Sequence, residues 1–329
     1  MSVSLESKKW RAIQWLVLAT VLWGTSFPTL KSILTAQHIL LPEASTWFCS
    51  SVTLCARFGA AALILALWLN KRLAQCTWLE WWQGLGLGLF GGTGLLFQMD
   101  GLAYTSASSS AFITQFYCVT IPLYVALRHW RWPTTRIIVS CLVVMAGVAV
   151  LAQLDWHTMH LGRGEAETLL GSILFTGQIL WLERSVFRKN RFGPVTCIMF
   201  AIMALSCLPT GLMTTQHAAD WVVALSAPHI LFFIGWLVLL CTIAAYMLMN
   251  RWQPDVSATE AGLIYCSEPL FASCFALILP GWFSAMGGLN YANESLTLRL
   301  IIGGALITTA NILIQYPSPP QKVTASLER

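Results

Sequence analysis

Apolar residues are arranged along this chain in long runs, which short polar breaks separate. A helix needs about 20 mostly apolar residues to cross the hydrocarbon core of a bilayer. Runs of this kind cover residues 12–34, 47–69, 82–103, 107–127, 134–152, 168–187, 194–213, 228–250, 257–279 and 296–316. The pattern therefore predicts an all-α membrane protein with ten transmembrane helices.

The composition supports a membrane protein. Hydrophobic residues make up 57% of the chain and charged residues only 10%, whereas soluble domains carry about 25% charged residues. The chain has 16 Trp residues, which suit the edges of a bilayer. The ten cysteines contain no C-x-x-C pair and lie mostly inside apolar runs, so we expect neither disulfides nor a metal site, and no cofactor.

The basic residues predict how the chain is oriented. They cluster at the two termini and in every second break, while the other breaks hold only Arg163 and Arg299. Because cytoplasmic loops are rich in Lys and Arg, both termini are expected in the cytoplasm and the protein in the cytoplasmic membrane. Spread over loops in this way, the net charge of +5 does not indicate nucleic-acid binding.

The two halves of the chain carry similar text. Ser110-Ala111 precedes Ile121-Pro122-Leu123 in the fourth run, and Ser257-Ala258 precedes Glu268-Pro269-Leu270 in the ninth. Small residues open corresponding segments of the fifth and tenth runs, at Gly147 and at Gly303. These similarities predict two five-helix repeats, 12–152 and 168–316, followed by a disordered cytoplasmic tail, 317–329. Because each half has an odd number of spans, the second repeat is expected to be inverted, as in many transporters.

Several of these motifs, in this order, resemble the EamA branch of the drug/metabolite transporter superfamily. The matching residues are Trp23-Gly24-Thr25-Ser26-Phe27 with Lys31, Arg57-Phe58, Tyr104-Thr105-Ser106-Ala107, Gly171, Ser257-Ala258-Thr259-Glu260-Ala261 and Glu268-Pro269. The resemblance implies two inverted five-helix repeats around a central cavity, and export of amino acids or other small metabolites. It also implies an uneven cavity, because Ile121 stands before the first proline where Glu268 stands before the second. Pro122 follows Ala107 by fifteen residues and Pro269 follows Ala258 by eleven, so we expect a shift of one helical turn between the two copies.

Glu268 is the main candidate for function. A charge in the middle of a span costs about 2.5–3.5 kcal/mol on insertion scales, and Pro269 beside it interrupts the helix. The alternative is a neutral acid that is hydrogen-bonded within the helix bundle. Glu260 lies two turns earlier and is a second candidate for proton coupling, or a solvated helix start.

The other candidates fall into two groups. With Glu268, the substrate-binding candidates are Trp23, Phe27, Lys31, Gln115 and Tyr265. Lys31 could instead extend to the membrane surface. The structural or hinge candidates are Arg57, Pro122, Pro269, Gly84, Gly88 and Gly92. We expect Arg57 to bond helix-end carbonyls, although an arginine within a span is also a functional candidate, and we expect the glycines to let two helices approach closely.

A secondary transporter fits these patterns better than a membrane-embedded enzyme, such as an intramembrane protease or a lipid-modifying transferase. Catalysis needs a pair of acids, a nucleophile with its base, or a metal set at membrane depth, and the deep carboxyls lie together on one span. The expected partners are a small-molecule substrate and membrane lipid, with the protein as a monomer or homodimer. The substrate and the direction of transport do not follow from the sequence.

Overall fold

The computed structural model describes residues 2–104, 110, 113–130, 132–151 and 162–315. Residues Thr105 to Ala107 of the motif that opens the fourth run lie outside this part, as does the predicted tail.

The described part of the chain is helical and contains no strand, which confirms the all-α prediction. We number its helices of eight or more residues in chain order. They are Ser2–Gly24 (α1), Ser26–Leu40 (α2), Thr46–Leu69 (α3), Trp78–Tyr104 (α4), Tyr117–His129 (α5), Thr135–Leu151 (α6), Arg163–Glu183 (α7), Phe192–Thr214 (α8), Pro228–Trp236 (α9), Ala245–Trp252 (α10), Ala258–Tyr265 (α11), Glu268–Ala276 (α12), Leu279–Gly287 (α13) and Leu298–Gln315 (α14).

Several helical segments are long and apolar enough to cross a membrane. Within the described residues these are Ser7–Leu40, Thr46–Leu69, Phe192–Thr214 and Pro228–Asp255. The bent pair α11–α12 and α13, with 55° between its two parts, would be a fifth if it forms one span. The ten-span arrangement therefore remains a prediction.

Side-chain caps explain where two of the helices begin. The hydroxyl of Ser45 accepts a hydrogen bond from the backbone N–H of Phe48 and caps α3. At α11, Ser257 and Glu260 form a reciprocal capping box, in which each side chain accepts from the other residue's N–H. This pairing satisfies N–H groups that a helix start otherwise leaves unpaired.

Three of the predicted spans are interrupted near their middle. Thr25 separates α1 from α2, Cys266 and Ser267 separate α11 from α12, and a turn at Gln115 and Phe116 precedes α5. Pro269 occupies the first turn of α12, where its missing N–H is tolerated. The breaks leave backbone groups and polar side chains at membrane depth, where they need protein or a cavity around them.

A π-helical segment, Leu237–Ala244, joins α9 to α10. Such wide turns are rare and occur often at functional sites. Here the wide turn faces α3: Arg57 of α3 donates to the Cys241 carbonyl at 3.1 Å and to the Thr242 hydroxyl at 2.6 Å.

Helices from the two halves of the chain pack against one another. The pair α3 and α8, the pair α4 and α7 and the pair α6 and α14 make extensive contacts. α4 also contacts α8, the π-helical segment contacts α3, and α1 contacts α10, α11 and α12. The short helix α5 lies between α7 and α11.

Glycines explain the close approach of α4 and α8. A Cβ added at Gly88 would lie 2.5 Å from the Cβ of Ile202 and 2.8 Å from the Met199 carbonyl oxygen, and Gly84 and Gly92 meet α8 similarly. Only a residue without a side chain allows the backbones to come this close.

An ionic cluster ties α3, α4 and α7 together at one end of the molecule. The Asp100 side chain is fully buried; it accepts from the Thr46 hydroxyl at 2.6 Å and from the Arg163 guanidinium at 2.8 Å. Arg163 also pairs with Glu167 at 2.8 Å and lies over the ring of Tyr104. A buried carboxylate is tolerated here because the guanidinium and the hydroxyl both bond it.

Candidate functional site

A cavity of about 90 Å³ is formed jointly by the two halves of the chain. Its walls combine aromatic, amide and charged side chains. The lining residues are Trp23, Ser26, Phe27, Leu30, Arg57, Leu95, Gln98, Thr114, Tyr117, Phe175, Gln178, Ile179, Tyr246, Met249, Tyr265 and Glu268. Mostly apolar walls with a few polar groups are typical of sites for small organic molecules.

Aromatic rings make one wall of the cavity. Trp23 packs edge-on against Tyr246, with ring centroids 5.2 Å apart, and against Tyr265 at 5.5 Å. Phe58 and Phe200 pack behind Tyr246. This arrangement fixes the rings and gives the cavity a rigid apolar side.

The cavity contains both an acid and a base. Glu268 begins α12 directly after the helix break, and its carboxylate accepts no hydrogen bond from any side chain of the described residues. Arg57 uses two of its donors on Cys241 and Thr242 and also lines the cavity. An acidic and a basic side chain therefore line the same space, and the Glu268 carboxyl group is available to a ligand.

A buried glutamine closes the cavity on the side of the α10–α11 connection. Gln253 is fully buried; it donates to the Ile179 carbonyl at 2.9 Å and accepts from the Tyr265 hydroxyl at 2.8 Å. Ile179 and Tyr265 line the cavity, whereas the next residues, Pro254 and Asp255, line a second and larger space. Gln253 with its two partners, here called the Gln253 layer, therefore lies between residues that line the cavity and residues that line the larger space.

The structure brings most of the predicted site residues together. Trp23, Phe27, Tyr265 and Glu268 all line the cavity. Arg57, which the sequence assigned to a structural role at helix-end carbonyls, bonds the Cys241 carbonyl inside the π-helical segment and also lines the cavity.

Three predicted site residues lie elsewhere. Gln115 is buried behind the cavity wall and accepts from the Tyr117 hydroxyl at 2.7 Å. Lys31 is exposed and lies 5.0 Å from the ring centre of Tyr291. Glu260 pairs with Lys9 and belongs to the capping box of α11.

The proline candidates stand at different places relative to the helix breaks. Pro269 directly follows its break, whereas Pro122 lies inside α5. The break itself comes eight residues after Ala107 in the first copy and eight after Ala258 in the second. The breaks therefore correspond without the one-turn shift that the prolines suggested.

Tyr117 is a cavity residue that the sequence analysis missed. It follows Ala107 by ten residues, as Glu268 follows Ala258, so the two side chains would be equivalent in the predicted repeats. The equal spacing from Ser106-Ala107 and from Ser257-Ala258 was the signal that could have identified it. Phe175 and Gln253 were also missed, and no motif marks either of them.

Comparison with known proteins identifies relatives among transporters. Residues 10–153 match the model of the EamA-like transporter family. Two proteins of Archaeoglobus fulgidus, each described as an uncharacterized transporter, are similar to the chain. One is 25% identical, covering 80% of this chain and 76% of the relative, and the other is 24% identical, covering 77% and 86%. An uncharacterized transporter of Haemophilus influenzae is 28% identical over 34% of this chain and 64% of its own length.

A solved crystal structure of another protein has a similar fold. It matches with a TM-score of 0.62 at 16% identity and covers 92% of this chain and 96% of its own. At this identity the likeness concerns the fold alone. With the family match and the apolar helices, the relatives indicate a membrane transporter, as the motifs suggested.

Proposed function

We propose that this chain, whose residues 10–153 match the EamA-like transporter family, is a multi-pass secondary transporter that exports amino acids or related small metabolites. It acts by alternating access across the cytoplasmic membrane, with both termini in the cytoplasm. The transporter-named relatives favour this function over an enzymatic one.

The observation that carries the proposal is that one acidic and one basic side chain, Glu268 and Arg57, line the same cavity. An amino acid is a zwitterion, with an ammonium group and a carboxylate on one carbon. Glu268 offers an unpartnered carboxylate for the ammonium group, and Arg57 offers guanidinium N–H groups for the carboxylate. The fork of an arginine suits a carboxylate, and the aromatic wall at Trp23 suits an apolar side chain.

The pattern of helix contacts supports two equivalent halves. In the proposed correspondence, α1–α2 matches α7, α3 matches α8, and α4 matches α9–α10. In the same way, α5 matches α11–α12 and α6 matches α14. The most extensive helix contacts then have counterparts. The contact of α4 with α7 corresponds to that of α10 with α1, and the contact of α4 with α8 corresponds to that of the π-helical segment with α3. The pairs α3–α8, α6–α14 and α5–α11 correspond to themselves. This is the pattern expected of a two-fold repeat.

Equivalent residues of the two copies also meet. An added Cβ at Gly147 of α6 would lie 2.9 Å from the Gly303 carbonyl oxygen of α14, and the Cys266 thiol lies 4.0 Å from the Gln115 carbonyl oxygen. Residues related by a pseudo-two-fold axis come together only near that axis. With five spans in each half, the axis would lie in the membrane plane.

In this mechanism the two halves rock against each other around the cavity. The Gln253 layer has to open for the cavity to reach the larger space beyond it, so the bonds to Ile179 and Tyr265 would break in one state. Glu268 faces the cavity in either state and could exchange a proton as the cavity changes sides, which would couple proton and substrate occupancy.

A transport screen tests the proposed function. The purified protein in liposomes is assayed with radiolabelled amino acids and related metabolites, beside Glu268→Gln and Glu268→Leu. We expect transport of at least one zwitterion. Glu268→Gln should fold normally and lose any pH dependence of transport, and Glu268→Leu should also bind substrate more weakly. Transport by Glu268→Gln with an unchanged rate and pH profile would contradict the role of Glu268. If no amino acid or related metabolite were transported, the substrate class would be wrong.

A further inference from the structure

A second, larger space opens beyond the Gln253 layer, and its walls are strongly basic. It has a volume of about 880 Å³ and is lined by the start of α1, the α3–α4 connection, the α7–α8 connection and the end of α10. Seven of its lining side chains are cationic, whereas only Glu183 and Asp255 are anionic. We call this space the basic vestibule. Its four sides contribute Lys8, Arg72, Arg188 and Arg251.

Some of the cations are neutralised by carboxylates. Lys8 pairs with Asp255 at 2.7 Å, and Arg251 approaches the same carboxylate at 3.6 Å. Arg191 pairs with Glu80 at 2.7 Å and also donates to the Gln75 carbonyl at 2.8 Å. These pairs hold the walls of the vestibule in place.

The Glu80–Arg191 pair stays ionised at physiological pH. Glu80 precedes the predicted membrane-spanning residues 82–103, and its side chain is buried. The hydrogen bond from Arg191 lowers the pKa of Glu80 from its ordinary value of 4.5 to about 2. Arg191 therefore remains tied to the wall of the vestibule.

Three arginines of the vestibule have no carboxylate within ion-pair distance among the described residues. These are Arg72, Arg184 and Arg188. Arg184 lies over the ring of Trp181 at 4.6 Å, which restricts its position. Arg188 follows Arg184 by one helical turn on the same connection. The vestibule thus presents unneutralised guanidinium groups from two sides.

The start of α8 also faces this space. Phe192, Gly193 and Pro194 line the vestibule and begin this 23-residue helix. The Glu80 carboxylate already accepts from the backbone N–H of Arg191 at the helix start, at 3.0 Å, and Pro194 has no N–H. The N–H groups of Phe192 and Gly193 are therefore the first-turn donors that favour an anion on this side.

We propose that the basic vestibule binds a multiply charged oxyanion, such as the phosphate group of a soluble metabolite or of a lipid. A single carboxylate would leave most of the positive charge unneutralised, whereas a phosphate can accept hydrogen bonds from several arginines at once. Cytoplasmic ends of membrane helices are basic in any protein of this topology, but that tendency does not require the cations to converge on one cavity. The site is separate from the central cavity, and its binding can be measured without transport.

Binding of inorganic pyrophosphate to the delipidated protein in detergent tests the soluble source. Isothermal titration calorimetry should show binding that weakens as NaCl is raised. The double variant Arg184→Ala/Arg188→Ala should bind at least about tenfold more weakly, because each charge-assisted hydrogen bond is worth that much or more. Arg72→Ala alone should also weaken binding. All three arginines are exposed, so these variants should fold.

A matched control and a lipid arm make the outcome decisive. Arg128 is an exposed arginine in another basic break and does not line the vestibule, so Arg128→Ala should bind pyrophosphate like the wild type. In the second arm, thermal unfolding is compared in phosphatidylcholine nanodiscs with and without phosphatidylglycerol. If only the lipid stabilises the wild type, and not the double variant, the ligand is a lipid head group. The proposal is overturned if neither ligand binds, or if Arg128→Ala loses as much affinity as the double variant.

Discussion

Replacing Glu268 with Gln should weaken the binding of an amino acid much more than the binding of the same molecule without its ammonium group. The Glu268 carboxylate accepts no side-chain hydrogen bond in the described part of the protein, so a ligand ammonium would be its partner. A hydrogen bond between charged groups is worth about 1.5–3 kcal/mol and a neutral one about 0.5–1.5 kcal/mol. The difference, about 1–1.5 kcal/mol, corresponds to roughly a tenfold change in Kd.

Isothermal titration calorimetry on the purified protein measures this change. The ligands are an amino acid that the transport screen identifies and its desamino carboxylic acid, and each is titrated into wild type and Glu268→Gln. Glu260→Gln is the matched control, because Glu260 lies two turns earlier in the same predicted span but pairs with Lys9 outside the cavity. The zwitterion interpretation is refuted if Glu268→Gln weakens both ligands equally, or if Glu260→Gln has the same effect.

Three further predictions concern the stability of the fold. Gly88→Leu should lower the free energy of unfolding by about 1–3 kcal/mol, because the added side chain overpacks against Ile202. The change should appear as a lower Tm in detergent. Gly59→Ala is the control and should leave the Tm unchanged, because a Cβ at Gly59 would meet nothing within 4 Å. Arg163→Ala should lower the free energy of unfolding by about 3 kcal/mol, because it leaves the buried Asp100 without its ion-pair partner. Adding Asp100→Asn to this variant should recover much of the lost Tm. If the Tm does not recover, the loss is not a charge effect. Since the pKa of Glu80 is lowered from 4.5 to about 2, its stabilising effect should be complete above about pH 4.5 and disappear as the pH falls toward 2. Glu80→Gln should therefore reduce the Tm at neutral pH but not at the acid end, and a pH-independent difference would contradict this assignment.

Apolar run length predicted the helical fold, and four of the six predicted substrate-binding residues line the cavity. Glu268 and Pro269 could be identified because a charged residue beside a proline in an apolar run is unfavourable in a membrane, which makes the position a candidate for a functional role. Trp23 and Phe27 were identified through the family-like motif. These signals are local in sequence, so they can be recognised without knowing how the helices pack.

The residues that the sequence placed differently depend on packing or on helix breaks. Ser257 and Glu260 form an S-x-x-E pattern, which is also the signature of a capping box, and the structure uses it in that way. Lys31 was predicted to bind substrate, but its long side chain extends to Tyr291 instead. Gln253 lies in a break between two predicted spans, where no feature of the sequence marks it as buried.

The π-helical segment Leu237–Ala244 sets the rotation of everything that follows it in α10. A π-turn is equivalent to one residue inserted into an α-helix, and each residue turns the helix by about 100°. Tyr246 and Met249 follow this segment and line the cavity, so their orientation depends on the extra residue. Deleting one residue here would keep the helix continuous yet turn this part of the aromatic wall away from the cavity. An insertion or deletion of one residue at this point of the chain would therefore change which side chains face the cavity without rebuilding the core.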